Sequence, residues 1–119
     1  RHLLVSMRDA GADFIGVDAQ TPLDESVSLL CWRTPVQGNI DPVLLDGPWA
    51  ELDAHVRDVL RRGATAAGHV VNLGHGVPPT TDPDVLTRIV ELVHSVPDLL
   101  PDLPPDLPPG SLPKPDGAP

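Results

Sequence analysis

The sequence predicts an α/β fold assembled from parallel strand–helix units. Two observations carry this expectation. Short apolar runs alternate three times with amphipathic helical stretches, the pattern of βα units. The helical stretches open on proline beside an acid or a hydroxyl, at Thr21-Pro22, Asp41-Pro42 and Asp82-Pro83. Three units cannot close an eight-stranded barrel. They also fit part of an open doubly wound sheet, and periodicity does not separate the two arrangements.

In chain order, Leu3, Leu4 and Met7 recur on one helical face, and Gly11 is a suitable stop. Phe14-Ile15-Gly16-Val17 is a short strand ending at Asp18. Thr21 then caps a helix with Pro22 at its first position and Asp24 in its first turn. Leu23, Val27 and Leu30 form its inward stripe. Val36-Gln37-Gly38 is a second strand. Asn39-Ile40-Asp41-Pro42 starts a further helical piece, which Gly47-Pro48 breaks. A longer helix sets Trp49, Leu52, Val56, Val59 and Leu60 on one face and ends at Gly63. Its other side carries Arg57, Arg61 and Arg62, basic residues where the helix dipole favours them. His69 to Leu73 is an apolar run suited to a buried strand. The last helix opens at Asp82-Pro83, with Leu86, Ile89, Val90 and Val93 inward.

The chain has 119 residues, enough for one small domain. Residues 1–96 carry the α/β pattern. Residues 97–119 repeat Pro-Asp-Leu and read as a Pro-rich disordered or polyproline-like tail, since proline removes donors and breaks both helix and strand. A docking motif for a partner is the alternative. The formal net charge is -9, and the 8 Lys+Arg form no block. That argues against binding nucleic acid or an anionic membrane through a basic surface. No apolar run approaches the ~20 residues that span a bilayer, and nothing resembles a signal peptide. The single cysteine, Cys31, forbids an internal disulfide and a Cys-cluster zinc site. It reads as a buried small apolar residue on the second helix. A cytoplasmic, reducing setting is expected. The start at Arg1, inside a helical pattern, suggests a piece cut from a longer protein.

The loops after the strands hold the candidates for chemistry: Asp18, then Gln37 and Asn39, then His75. In a parallel α/β fold these loops emerge at one edge, where such folds place ligands. Asp18 also fits a turn that hydrogen-bonds itself. Gln37 and Asn39 flank Gly38 and also fit as partners of backbone groups. Asp41 and Asp82 are helix caps. His75 stands apart. It lies between Gly74 and Gly76, at the end of an apolar strand, where the backbone can turn sharply or approach a ligand. His2, His55, His69 and His94 occur in no comparable setting. No His-Glu-x-x-His, His-x-Cys, Cys-x-x-Cys, G-x-G-x-x-G or phosphate-binding Gly-rich loop is present, so no metal and no dinucleotide is expected.

Three stretches, taken together, resemble the C-terminal third of the uroporphyrinogen decarboxylase family. They are Gly11-Ala12-Asp13-Phe14-Ile15-Gly16-Val17-Asp18, Val36-Gln37-Gly38-Asn39-Ile40-Asp41-Pro42 and Asn72-Leu73-Gly74-His75-Gly76. The Asp82-Pro83 start and the helix from Val85 to His94 also fit. The likeness covers about Arg1 to Val96. It departs at Ala19, where the family usually has Trp, and in the Pro-rich tail.

The resemblance implies a (β/α)8 TIM barrel, of which this chain supplies the last three βα units. It implies removal of carbon dioxide from the four acetate side chains of uroporphyrinogen III, giving coproporphyrinogen III in porphyrin and haem biosynthesis. It implies no metal, no cofactor and a homodimer. The aspartate, arginines and tyrosine that the family uses lie upstream of Arg1, so no catalytic residue is carried over here. Only the histidine is, onto His75, as a substrate-binding residue. A corrinoid-linked methyltransferase of the same superfamily shares Gly-Asn-[Ile/Val]-Asp-Pro, but it ends its last strand with a zinc-binding Cys, where Gly74-His75 stands here. A non-catalytic fragment is the third reading. The sequence upstream of Arg1 discriminates them: a barrel with an acid and arginines at its mouth, a His-x-Cys, or an initiator codon.

The tail has little capacity for helix or strand and no aromatic anchor. Deleting Asp98 to Pro119 from the complete enzyme is therefore expected to cost less than about 1 kcal/mol, the scale of a genuine packing contact. A larger loss in a melting experiment would show that the tail docks on the folded body.

Overall fold

The computed structural model describes residues 2–96, so the Pro-rich tail expected over 97–119 lies outside the described residues. The elements run α1 (Leu4–Asp9), β1 (Ile15–Gly16), α2 (Leu23–Leu29), β2 (Val36–Gln37), a 3-10 helix (Pro42–Asp46), α3 (Trp49–Gly63), β3 (His69–Val70) and α4 (Pro83–Ser95). The three strands form one parallel sheet in chain order. Ile15 pairs with Val36, and Val36 with His69. Regular pairing is shorter than the apolar runs. Hydrogen bonds nevertheless continue past it, from Val17 N to Gln37 O, Gly38 N to Val70 O and Ile40 N to Asn72 O.

Side chains alternate across a strand, so paired residues share a face. Ile15 and Val36 are fully buried against the helical layer. Their neighbours Gly16, Gln37 and Val70 are exposed on the opposite face. The helices neighbour one another in chain order, α1 beside α2, α2 beside α3 and α3 beside α4. The core between sheet and helices is aliphatic: Ile15, Leu23, Val27, Leu30, Val36, Ile40, Leu52 and Val56 are the deepest side chains. Each contributes about 1.5–3 kcal/mol, as an upper estimate.

The Pro starts work as the sequence predicts, with one shift. The Asp41 carboxylate accepts from Val43 N at 3.0 Å, and Asp82 from Asp84 N at 3.0 Å. Thr21 does not cap α2. Pro22 occupies the cap position with no side-chain bond, and the Thr21 hydroxyl turns to Asp18 instead. The piece after Asp41 is a tight 3-10 turn, which Gly47-Pro48 ends before it lengthens.

Several apolar expectations fail for identifiable reasons. In α1 only Leu4 is buried, while Leu3 and Met7 face solvent. In α4 Ile89 and Leu92 are buried and Val90 is 53% exposed, because the helix meets the core along the 89/92 line. Cys31 is not a buried helical residue. α2 ends at Leu29, and Cys31 and Trp32 both take φ of 55°. That turn leaves Cys31 exposed, 3.6 Å from an Arg8 guanidinium nitrogen.

The exposed arginines of α3 do more than meet the helix dipole. Arg57 pairs with Asp53, Arg61 with Asp58, and Arg62 with both Asp58 and, across the interhelical gap, Asp24 at 2.8 Å. Arg88 of α4 lies 3.8 Å from the centre of the Trp49 ring, tying α4 to the start of α3. The Arg62 bonds hold the Asp24 and Asp58 carboxyls below their ordinary value of 3.8, despite opposing desolvation. A depressed carboxylate stabilises the fold above its unfolded value and loses that contribution as pH falls through the folded one. The pairs are solvent-screened, so Arg62→Met is expected to cost no more than about 1 kcal/mol near neutral pH. In paired thermal melts, the gap between variant and parent should close as the pH is taken below 3.8. A gap that stays constant to pH 2 would assign the effect to lost packing of the arginine stem.

Candidate functional site

The strands deliver three loops to one edge. At the exit of β2, Gly38 has φ of +131°, and a Cβ there would sit 2.6 Å from the Val17 carbonyl oxygen. Only glycine fits so close an approach. The Gly38–Asn39 peptide is cis. The Gly38 carbonyl accepts from His69 Nε2 at 2.6 Å, which fixes His69 as a donor at that nitrogen.

Asn39 is 6% exposed. Its amide nitrogen donates to the Thr21 carbonyl at 2.6 Å and the Asp18 carbonyl at 3.1 Å. The Asp18 carboxylate accepts from Gln20 N at 2.9 Å and lies 3.1–3.2 Å from the Thr21 hydroxyl. Desolvation opposes its charge, but the Gln20 N–H and the Thr21 hydroxyl outweigh it, and the carboxyl sits below its ordinary range. Both sequence-derived alternatives for these residues are therefore the structural ones. Asp18 closes its own turn, and Asn39 satisfies backbone carbonyls. Gln37 differs: its amide is exposed on the open sheet face and bonds to no described residue.

Beyond β3, the Asn72 side chain accepts from Leu73 N at 2.8 Å, and Gly74 N donates to the Ile40 carbonyl at 2.7 Å. A Cβ on Gly74 would meet Ala19 N at 2.4 Å and the Ala19 Cα and Cβ at 2.7 Å. The first and third loops thus touch backbone to backbone at this point. His75 follows immediately. It is exposed and makes no hydrogen bond or ion pair with any described residue. The other histidines of the folded body are occupied or peripheral. His55 Nε2 accepts from Asp41 N at 3.0 Å, and His69 is bound to Gly38. His94 lines a groove of about 230 Å³ beside Ile40, Leu73, Leu86 and Val93. The sequence reading missed that groove; its trace was the α4 face of Leu86, Ile89, Val90 and Val93, all of which line it.

Among the described residues, no three His, Cys, Asp or Glu side chains converge as a metal site would require. Among them, too, no helix is long and apolar enough to cross a membrane. An imidazole at the rim can position a polar or anionic ligand by hydrogen bonding.

Parallel α/β folds bind ligands beyond the carboxyl ends of their strands, and His75 stands in that region. The comparisons with known proteins narrow this. A family model described as uroporphyrinogen decarboxylase matches residues 1–96. The chain is 64% identical over 94 residues to the uroporphyrinogen decarboxylase of Arthrobacter sp., a match covering 79% of this chain and 27% of that protein. It is 60% identical over 92 residues to the enzyme of the same name from Leifsonia xyli, covering 77% and 24%. It is 54% identical over 94 residues to that of Salinispora tropica, covering 79% and 25%. The chain belongs to the uroporphyrinogen decarboxylase family, and it spans about a quarter of the length of these relatives, less than the third expected from its motifs.

Proposed function

We propose that this segment is part of a uroporphyrinogen decarboxylase and that His75 positions the substrate there. Within a chain of the relatives' full length, it supplies three successive βα units of a (β/α)8 barrel. One observation on the fold supports the barrel over the doubly wound alternative. A doubly wound sheet is covered by helices on both faces. Here one face is buried, and Gly16, Gln37 and Val70 stand open on the other, as the inner lining of a barrel would.

The observation that carries the site is the free imidazole of His75 at the strand-end rim, while Asp18 and Asn39 of the adjoining loops are engaged with backbone groups. The reaction asks for what such a rim can give. Each acetate loses carbon dioxide and gains one proton, becoming a methyl group. A pyrrole carbon is protonated first, and the ring takes up the electrons of the breaking carbon–carbon bond to leave an exocyclic methylene. A second proton then converts the methylene to methyl while the ring carbon gives its proton back, so no separate electron sink is needed. The protein orients the macrocycle, delivers the proton and stabilises charge. His75 can donate a hydrogen bond to a substrate carboxylate in either protonation state. The methyltransferase alternative requires a cysteine ligand at this place, and Gly74-His75 occupies it.

In the assembled enzyme, His75→Ala is expected to lower kcat/KM ten- to a hundred-fold, since a hydrogen bond to a charged group contributes roughly 1.5–3 kcal/mol. The melting temperature should hold, and His75→Gln should restore part of the activity because an amide still donates. Parent-like kinetics in the alanine variant would sink the assignment. The 119-residue chain alone is expected not to convert uroporphyrinogen, because its open sheet face and free strand edges lack the rest of the cleft. Conversion above the buffer rate by the purified chain would contradict the shared-cleft reading.

A further inference from the structure

We infer that Asn39 and Gly74 are positioning residues for His75, a linkage that rests on the substrate-contact reading of that histidine. His75 forms no bond of its own with the described residues, so its place at the rim is inherited from the residue before it. Gly74 is held on two sides. Its N–H donates to the Ile40 carbonyl at 2.7 Å, which ties it to the chain leaving β2. Its Cα faces the Ala19 backbone so closely that a Cβ would lie 2.4 Å from Ala19 N. Backbone atoms cannot swing aside as the tip of a side chain can. Any substituent at Gly74 must therefore move one loop or the other, and His75 moves with it.

The surface that Gly74 leans on is itself set by Asn39. The Asp18–Thr21 turn has two carbonyls directed at the exit of β2, those of Asp18 and Thr21. A single buried amide nitrogen donates to both. Asparagine suits this position because its NH2 carries two hydrogens in one plane. Aspartate would set a carboxylate against two carbonyl oxygens, and serine would satisfy only one of them. Ala19 lies between the two tethered residues. The chain of contact is therefore continuous: Asn39 fixes the turn, the turn presents Ala19, Ala19 and Ile40 seat Gly74, and Gly74 aims His75. The side chain of Asp18, bound to Gln20 N and near the Thr21 hydroxyl, braces the same turn from inside.

A double-mutant cycle in the assembled enzyme, with uroporphyrinogen as substrate, tests the linkage. Gly74→Ala and Asn39→Ser are each made alone and in a His75→Ala background, and kcat, KM and the melting temperature are read for all. Each single variant should lower kcat/KM about ten-fold or more, because misplacing a binding group by an ångström is that costly. In the His75→Ala background the further loss should be less than about two-fold. Losses that multiply fully in the double variants would overturn the linkage, showing that these residues serve the reaction by another route. Should Gly74→Ala not fold, Asn39→Ser carries the same cycle, since it loosens the Asp18–Thr21 turn under Ala19 without adding an atom at Gly74. A damaged His75→Ala with multiplying partners removes the linkage alone. A parent-like His75→Ala removes the substrate reading and the linkage together.

Discussion

The register of the central strand governs what every other side chain near the site can do. Pairing Val36 with Ile15 on one side and His69 on the other commits one face of β2 to the helices and the other to open space. Val36 is then fully buried and Gln37 exposed. A slip of one residue would bury the Gln37 amide without a partner and expose the valine, a cost of several kcal/mol in desolvation and lost burial. With that register in place, Gly38 reaches the point where only a hydrogen atom fits beneath the Val17 carbonyl, and Asn39 reaches the turn it clamps. The rim follows from the sheet by close contact, with little slack at any step.

Charge is handled locally in a chain whose overall balance is strongly acidic. The acids near the strand ends are turned onto backbone donors. Asp18 takes Gln20 N, Asp41 takes Val43 N and Asp82 takes Asp84 N. Those on the helices are paired with arginine, as Asp24, Asp53 and Asp58 are. For a rim proposed to meet a substrate bearing many carboxylates, this matters. A carboxylate that accepts from a backbone N–H is held in a fixed direction, and the His75 imidazole beside it has no partner among the described residues.

The legible and illegible parts of this protein divide along physical lines. Local signals were readable. The Asp-Pro starts at Asp41 and Asp82, the end of α3 at Gly63 and the inward stripe of Leu23, Val27 and Leu30 depend on neighbours three or four residues away, and the structure has them all. Partnerships across the fold were not. Nothing in the sequence pairs Arg62 with Asp24, because that choice depends on how α2 and α3 meet. Cys31 looked helical by its spacing, yet α2 gives way after Leu29 to a left-handed turn. The exposed Leu3, Phe14 and Val90 reflect a further limit: apolar character states that a surface can be covered and does not state which contact in this chain covers it.

The histidines show why the site cannot be read from residue type. Two imidazoles, His55 and His69, are half-buried, while His75 is exposed at the rim. His55 is held as an acceptor by the Asp41 N–H. His69 is held as a donor by the Gly38 carbonyl, and its ring also fills the space beside Gly63, where a Cβ would come within 2.1 Å of Nδ1. Each of these rings has one nitrogen engaged with the backbone around it. His75 has spent neither, although it lies beside the most tightly determined contact at the rim, that of Gly74 with Ala19. A side chain left without a protein partner on a backbone that cannot shift is poor use of a residue if it only stabilises the fold. The same arrangement suits a group that must meet something outside the chain, because its donors remain available and its position is decided before the ligand arrives.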